Sequence, residues 1–271
     1  MADSTKSSDA RPPLSGGDDG RMTLVEHLTE LRSRVVRSAL AVAVGFVICW
    51  WKGPDLLEFL VEPYCDTIDP EAITAAGGTP GDCELLVTEP TEQLNVRINT
   101  ALYGGFSLAI PVILWQIWQF VTPGLYPHER RYALPFVFSG ALLFAMGVSL
   151  SYWSLPRALE FLTEIGGLDF AVAFRPQPYL NFVIKMLFAF GVGFQFPIVL
   201  IFMQLAGILS ISALKAGRRY AIVGIVILVA VVTPSGDPIT LLVLSVPMYL
   251  FYEISILFGV IRARRQRASV A

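Results

Sequence analysis

Apolar residues along the chain fall into long runs that are separated by short polar or charged segments. Because about 20 apolar residues in a helix cross the hydrocarbon core of a bilayer, each such run predicts a membrane span. We predict six spans, at 35–51, 100–121, 132–155, 179–209, 220–232 and 239–261. The predicted fold class is therefore an all-α membrane protein with six transmembrane helices.

Two of these spans depart from a simple crossing. The run 179–209 is too long for one straight helix, and Gln195-Phe-Pro197 predicts a kink inside it. The fifth span, 220–232, reaches only roughly 20 Å of a hydrocarbon core about 30 Å thick. The alternatives are that flanking residues complete the crossing, that the bilayer thins beside this span, or that neighbouring helices bury it away from lipid.

The segment before the first span has the pattern of an amphipathic helix. Thr23 and Glu26 fit a capping box, and Leu24, Leu28 and Leu31 recur at helical spacing. We predict an interfacial helix that runs directly into the first span. The alternative is that this segment serves only as a basic anchor at the membrane surface.

The segments between the spans carry most of the charges and helix-breaking residues. Residues 52–98 predict a long acidic loop with a short amphipathic helix at Asp55–Val61, and residues 156–178 predict a second loop on the same side. Residues 210–219 predict a short basic turn on the other side, and Thr233–Pro238 predicts a tight turn.

Composition supports a membrane protein and excludes a soluble domain. The chain is 54% hydrophobic and only 15% charged, whereas soluble domains carry roughly 25% charged residues. Lysine and arginine are concentrated before residue 38, at 130–131, at 210–219 and at 262–271. The positive-inside rule then places both termini in the cytoplasm.

We predict three regions along the chain. Residues 1–21 lack the apolar core of a signal peptide and predict a disordered tail. Residues 22–261 form one six-span domain, and residues 262–271 form a basic cytoplasmic tail. The two histidines lie far from any cysteine cluster, so we expect no metal site.

The polar turn between spans two and three holds the first candidate binding residue. Pro123, Gly124 and Pro127 break the helix there. Glu129 is followed directly by Arg130 and Arg131. Glu129 is either a binding group at the membrane face or the partner of one of these arginines within the loop.

Several motifs, taken together in their order and spacing, resemble the TatC family, the multispanning core of the twin-arginine protein translocase. Each motif alone is weak, and the resemblance covers about residues 22–260. The motifs are His27-Leu-Thr-Glu30-Leu-Arg32, Pro111-Val-Ile-Leu-Trp-Gln116, Leu125-Tyr-Pro-His-Glu129-Arg-Arg131, Phe190-Gly-Val-Gly-Phe-Gln-Phe-Pro197, Thr233-Pro234 and Pro247-Met-Tyr249.

The resemblance implies a receptor for folded precursor proteins whose signal peptides carry two adjacent arginines. It places the arginine-binding carboxylates at Glu30 and Glu129, with Arg32 and His128 beside them. A guanidinium pair needs fixed carboxylates that accept forked hydrogen bonds, so the chemistry suits the role. We expect no catalytic residue and no cofactor.

The resemblance also implies partners and a location. The partners are single-span TatA- or TatB-type subunits, twin-arginine precursors and further copies of the chain, with no nucleic acid. Export would use the proton motive force. The location is the bacterial inner membrane, with several passes and both termini in the cytoplasm.

Span four departs from the family pattern at one position. The family often has a glutamate in the middle of this span, and the chain has Gln195. A neutral amide costs less than a carboxylate in the bilayer and can still bond a partner helix. The alternative is that Gln195 pairs with backbone at the Pro197 kink.

Spans five and six are where the resemblance expects the single-span partners to dock. Thr233 and Thr240 are the polar candidates for that contact, and the alternative is that packing within the chain alone explains both. Matches to the family that we interpret as structural are Pro63, Pro111, Tyr126 and Pro197.

Two of the three cysteines lie in the first outer loop, on the side of a bacterial membrane that permits disulfides. Cys65 and Cys83 enclose a Gly- and Pro-rich loop of about 17–19 residues, for which the chain-entropy model gives about 3 kcal/mol. We predict a structural Cys65–Cys83 disulfide, and the alternative is two free thiols.

Two other classes of membrane protein compete with this interpretation. A small-solute secondary transporter usually has paired repeats and ionisable groups at the midplane, whereas Lys185 and Glu253 lie toward span ends. An intramembrane enzyme would need a Ser/His or His/Glu constellation inside a span, and the sequence has none.

Overall fold

The computed structural model of the chain describes residues 24–67, 89–121, 133–164, 175–233 and 237–268. Every regular element in these ranges is a helix, which confirms the predicted all-α class. The helices are α1 (Leu24–Trp51), α2 (Gly53–Thr67), α3 (Pro90–Val121), α4 (Ala133–Glu164), α5 (Pro176–Gly193), α6 (Phe196–Leu205), α7 (Ile211–Ala216), α8 (Arg218–Val232) and α9 (Pro238–Ala268).

Five of the six predicted spans have the length and hydropathy of a membrane crossing in the described ranges. They are Leu28–Trp51, Pro90–Phe120, Leu134–Phe161, Pro176–Leu205 and Pro238–Arg264. The remaining helix, α8, has 15 residues, which is about 22 Å of helix. This length confirms that the fifth apolar helix is short, and its crossing of the membrane stays a prediction.

α1 is one continuous helix of 28 residues, so the interfacial helix and the first span are a single element, as predicted. It packs mainly against α3. The two backbones touch at Gly45, since a Cβ there would lie 2.5 Å from the carbonyl oxygen of Gly105. Glycine at both positions lets the two helices approach closely.

Helices replace much of the predicted first outer loop. α2 is longer than the short amphipathic helix predicted there, and α3 begins at Pro90, inside the predicted loop. Two polar residues in the first turns of α3 have partners elsewhere in the fold: Glu92 pairs with Arg175, which immediately precedes α5, and Arg97 donates to the Trp50 carbonyl of α1 at 3.2 Å. These contacts extend the helix through a segment that its charge predicted to be loop.

The second predicted outer loop and the basic turn are also partly helical. α4 continues to Glu164, and α5 begins at Pro176. The turn at 210–219 contains α7, whose N-cap Ser210 accepts from the Ala213 amide at 3.1 Å. The Tyr252 hydroxyl donates to the Leu214 carbonyl at 2.6 Å and ties this turn to α9.

The core of the chain is centred on α5. Val183, Met186 and Phe190 are fully buried and pack with Leu155 of α4 and Leu244 of α9. α5 contacts α2, α3, α4 and α9, so it joins helices from both halves of the chain.

The predicted kink lies between α5 and α6 and is confirmed. The backbone amide of Gln195 donates to the Val192 carbonyl at 2.9 Å, which is a tighter turn than an α-helix makes. Pro197 follows as the second residue of α6, where its missing N–H costs no helical hydrogen bond.

Candidate functional site

A polar cluster joins α1 to the last turns of α3. We call its members, Glu30, Arg34, Gln116 and Gln119, the Glu30 cluster. Arg34 lies one helical turn after Glu30 and donates to its Oε1 twice, from Nε at 3.1 Å and from Nη2 at 2.5 Å. The third terminal nitrogen, Nη1, donates to Gln119 Oε1 and, at 3.4 Å, to Gln116 Oε1.

The carboxylate of Glu30 is only half used by this arrangement. Its second oxygen, Oε2, is buried and has no hydrogen-bond partner in the described part of the chain. The side chains of Arg34 and Glu30 retain 16% and 20% of their exposure, so both are shielded from solvent without being sealed off. A carboxylate oxygen in this setting is a strong acceptor that can take a hydrogen bond from a further donor.

The Glu30 cluster borders the segment that holds the second predicted carboxylate. Gln119 lies in the last turn of α3, which ends at Val121, and the chain then enters the polar turn with Glu129. Glu129, His128 and Tyr126 lie outside the described residues, so their placement stays a prediction. Arg32 is exposed on α1.

The sequence did not indicate Arg34, Gln116 or Gln119 as site residues. A partial signal existed, because Glu30 and Arg34 are four apart and therefore adjacent on a helix face. The two glutamines are likewise three apart and share one face of α3. Nothing in their positions along the chain indicated that these two faces meet.

Gln195 has a different partner from either one predicted. Its Nε2 donates at 2.9 Å to the carbonyl of Gly140, which belongs to α4 and not to the Pro197 kink. Its Oε1 is buried without a partner among the described residues. The amide therefore joins two helices of this chain and keeps one acceptor for a donor from elsewhere.

The two threonines predicted to meet a partner helix are buried within the chain. Thr233 is 5% exposed, and its hydroxyl donates to the Val229 carbonyl of its own helix at 2.8 Å. Thr240 has no exposure, and its amide donates to Asp237 Oδ1 at 2.6 Å. A partner helix would reach these side chains only after neighbouring groups move, and the contact stays a prediction.

The residues interpreted as structural lie inside helices where the structure describes them. Pro63 lies within α2, Pro111 within α3 and Pro197 at the start of α6.

Cys65 is disulfide-bonded, and Cys49 is a buried free thiol. Cys83 lies outside the described residues, so its pairing with Cys65 stays a prediction.

Comparison with known proteins decides among the classes of membrane protein considered above. A family model for "Sec-independent protein translocase protein (TatC)" matches residues 26–247. The chain belongs to the TatC family. A Sec-independent protein translocase protein TatC from Frankia casuarinae is 37% identical over 248 residues, 92% of this chain and 68% of that protein. The TatC of Deinococcus radiodurans is 37% identical over 239 residues, 87% of this chain and 85% of that protein.

Solved structures agree with the family assignment. A crystal structure of the twin-arginine translocase receptor TatC superposes with a TM-score of 0.67 at 35% identity, over 87% of this chain and 99% of that one. As a TatC-family member, the chain is a multi-pass membrane protein of the twin-arginine protein translocase. Members of this family are translocase components, so the chain is not an enzyme.

Proposed function

We propose that the chain is the signal-receiving core subunit of a bacterial twin-arginine translocase. It binds the arginine pair of a precursor's signal peptide at the cytoplasmic face, through Glu30 and Glu129. With single-span TatA- or TatB-type partners, it then exports the folded precursor by using the proton motive force.

The observation that supports this most directly is the half-used carboxylate of Glu30. Oε2 is shielded, lacks a partner in the described chain, and lies beside the α3 end that leads to Glu129. A guanidinium of the signal peptide would supply the missing donor, and a shielded site makes that charge-assisted bond stronger than it would be in water.

The proposed topology has six spans with both termini in the cytoplasm. The start of α1 meets the end of α3 in the Glu30 cluster, while the end of α1 meets the start of α3 where Arg97 bonds the Trp50 carbonyl. α1 and α3 are therefore antiparallel. The basic residues that follow Ile261 favour the cytoplasmic side for the end of α9.

Assembly with single-span partners is proposed along α8 and beside Gln195. α8 packs chiefly against α9, with Ile225 and Val229 as its most buried side chains, and most of its other apolar residues are exposed. Such a helix presents an apolar face that a single-span helix can cover. The unpartnered Oε1 of Gln195 offers a polar group for the same class of partner.

Binding of two matched peptides to the purified full-length chain tests the proposal. The probes are a synthetic signal peptide with adjacent arginines and the same peptide with two lysines. We expect the arginine peptide to bind more tightly and to crosslink near Glu129, since lysine cannot form the forked hydrogen bonds. Equal affinities, or crosslinks confined to the opposite face, would contradict the assignment.

The second candidate function, a small-solute transporter, has weaker support. Its ionisable candidate Glu253 is engaged by α8 and α9 themselves, with Arg218 Nη2 at 2.7 Å and the Tyr249 hydroxyl at 3.1 Å. Glu253 lies near the middle of α9, and its two partners within the chain join α8 to α9 and occupy both of its carboxylate oxygens.

A further inference from the structure

We propose that Arg34 is a positioning residue for the signal-peptide site, and this inference rests on the proposed function. Arg34 fixes the Glu30 carboxylate by holding its Oε1, so that Oε2 faces the incoming arginine in one orientation. Gln119 and Gln116 in turn fix Arg34 to α3.

The geometry of the guanidinium carries this inference. Nε and Nη2 of Arg34 both donate to one oxygen of Glu30, and Nη1 points to the two glutamine oxygens on α3. One planar group thus connects two helices, because its N–H donors point in different directions within the same plane. A lysine ammonium keeps the charge but cannot reproduce this fixed fork.

The unpartnered oxygen distinguishes the Glu30 cluster from a closed ion pair. In a closed pair both carboxylate oxygens would be bonded, and a ligand would have to displace Arg34. Here one oxygen takes both bonds and the other has none in the described chain. Glu30 therefore binds without losing its internal partner, and its side chain needs little further ordering on binding.

Arg34 also carries a positive charge, which opposes an incoming arginine. If this repulsion were the larger effect, Arg34 would weaken peptide binding, and removing its charge would tighten binding. We expect orientation to be the larger effect, because the glutamine oxygens on α3 hold Arg34 by Nη1 and disperse part of its charge. Arg34→Lys and Arg34→Gln separate these two effects.

The test measures affinity of the purified full-length chain for the two-arginine peptide, with Arg37→Lys as matched control. Arg37 is an exposed arginine on the same helix. We expect Arg34→Lys to weaken binding about tenfold, the worth of one charge-assisted hydrogen bond. Gln119→Leu, which loosens Arg34 without touching Glu30, should weaken binding about threefold by the same route, and Arg37→Lys should bind like the original chain.

A double-mutant cycle shows whether Arg34 acts through Glu30. In a Glu30→Ala background, Arg34→Lys should have no further effect, whereas a general structural role would lower affinity in both backgrounds. Wild-type affinity of Arg34→Lys, or tighter binding by Arg34→Gln, would overturn the inference. If Glu30→Ala itself binds the peptide normally, the proposed function of the site is wrong. That outcome would be independent of the role assigned to Arg34.

Discussion

A carboxylate paired with an arginine lies at each end of α3, Glu92 within α3 itself and Glu30 on the neighbouring α1, and the two pairs differ in how the carboxylate oxygens are used. At one end, Glu92 is 2% exposed, pairs with Arg175 Nε at 3.3 Å and accepts from the Glu89 amide at 3.5 Å. At the other end, Glu30 gives one oxygen to Arg34 and leaves the other unpaired within the described chain.

Under the proposed function, this difference separates a contact that stabilises the fold from a carboxylate that can bind a ligand. The Glu92 pair ties α3 to the start of α5, and both carboxylate oxygens have contacts. The Glu30 pair lies within one helix, where an i,i+4 contact adds little stability of its own. We therefore expect substitutions at the Glu92 end to change stability and substitutions at the Glu30 end to change binding.

The largest effect is expected when both candidate carboxylates are removed. Truncating one partner of a shielded charge pair costs about 2–5 kcal/mol, so Glu30→Ala or Glu129→Ala should lose roughly 30- to 4,000-fold in peptide affinity. If both hold one arginine pair, the double variant should lose less than the sum of the singles. Peptide titration measures this, and Glu129→Asp should be milder.

The variants should remain folded and inserted in the membrane. Retained peptide binding by both alanine variants would contradict the assignment of the site, and loss of membrane insertion would show that the Glu30 end also holds the fold.

The next effect concerns the disulfide at the Glu92 end. Cys65 lies in α2 on this side, and a Cys65–Cys83 bridge should contribute about 3 kcal/mol in the chain-entropy model. Cys83→Ser should therefore lower stability while leaving peptide affinity unchanged. Mass spectrometry after alkylation, with and without reductant, identifies the pair, since labelling of both thiols before reduction would exclude it.

The sequence predicted the elements of the molecule better than their connections. The long apolar runs, the Gln195–Pro197 kink and the continuous first helix follow from local pattern, and each appears in the structure. The start of α3 was predicted to be loop, since Glu92 and Arg97 lie in an acidic, proline-rich segment. Their partners in distant parts of the chain, Arg175 and Trp50, outweigh that local signal.

The candidate site was predicted only in part, for a similar reason. Glu30 was found by its motif, but the role of Arg34 depends on the approach of α1 to α3 at Gly45 and Gly105. That approach places Gln119 beside Arg34, a contact across 85 positions of sequence. Hydrophobic periodicity identifies the faces of each helix and does not say which faces meet.

A smaller effect is expected for Glu92→Ala. It removes a buried partner of Arg175, but the Arg175 side chain is 46% exposed and is therefore partly solvated. We expect a loss of about 1–2 kcal/mol in the free energy of unfolding, measured in a denaturing-detergent titration. Peptide affinity should not change.

Glu89→Ala is the matched control for this prediction. Glu89 also pairs with Arg175, at 3.3 Å, but its side chain is 63% exposed. An exposed pair contributes about 0.2–1 kcal/mol, so this variant should be nearly as stable as the original chain. Weakened peptide binding by Glu92→Ala alone would show that the two ends of α3 are coupled.

The smallest effect on stability is expected for Gln195→Leu, which tests a position between the two ends. The hydrogen bond from Nε2 to the Gly140 carbonyl is lost, and such bonds within membranes average about 0.6 kcal/mol. If Oε1 receives a donor from a single-span partner, copurification with that partner should fall while peptide affinity persists. Gln195→Glu keeps an acceptor oxygen at this position and should still assemble. Normal assembly by Gln195→Leu would restrict Gln195 to joining α4 and α6, and loss of peptide binding would contradict the separation of the two sites.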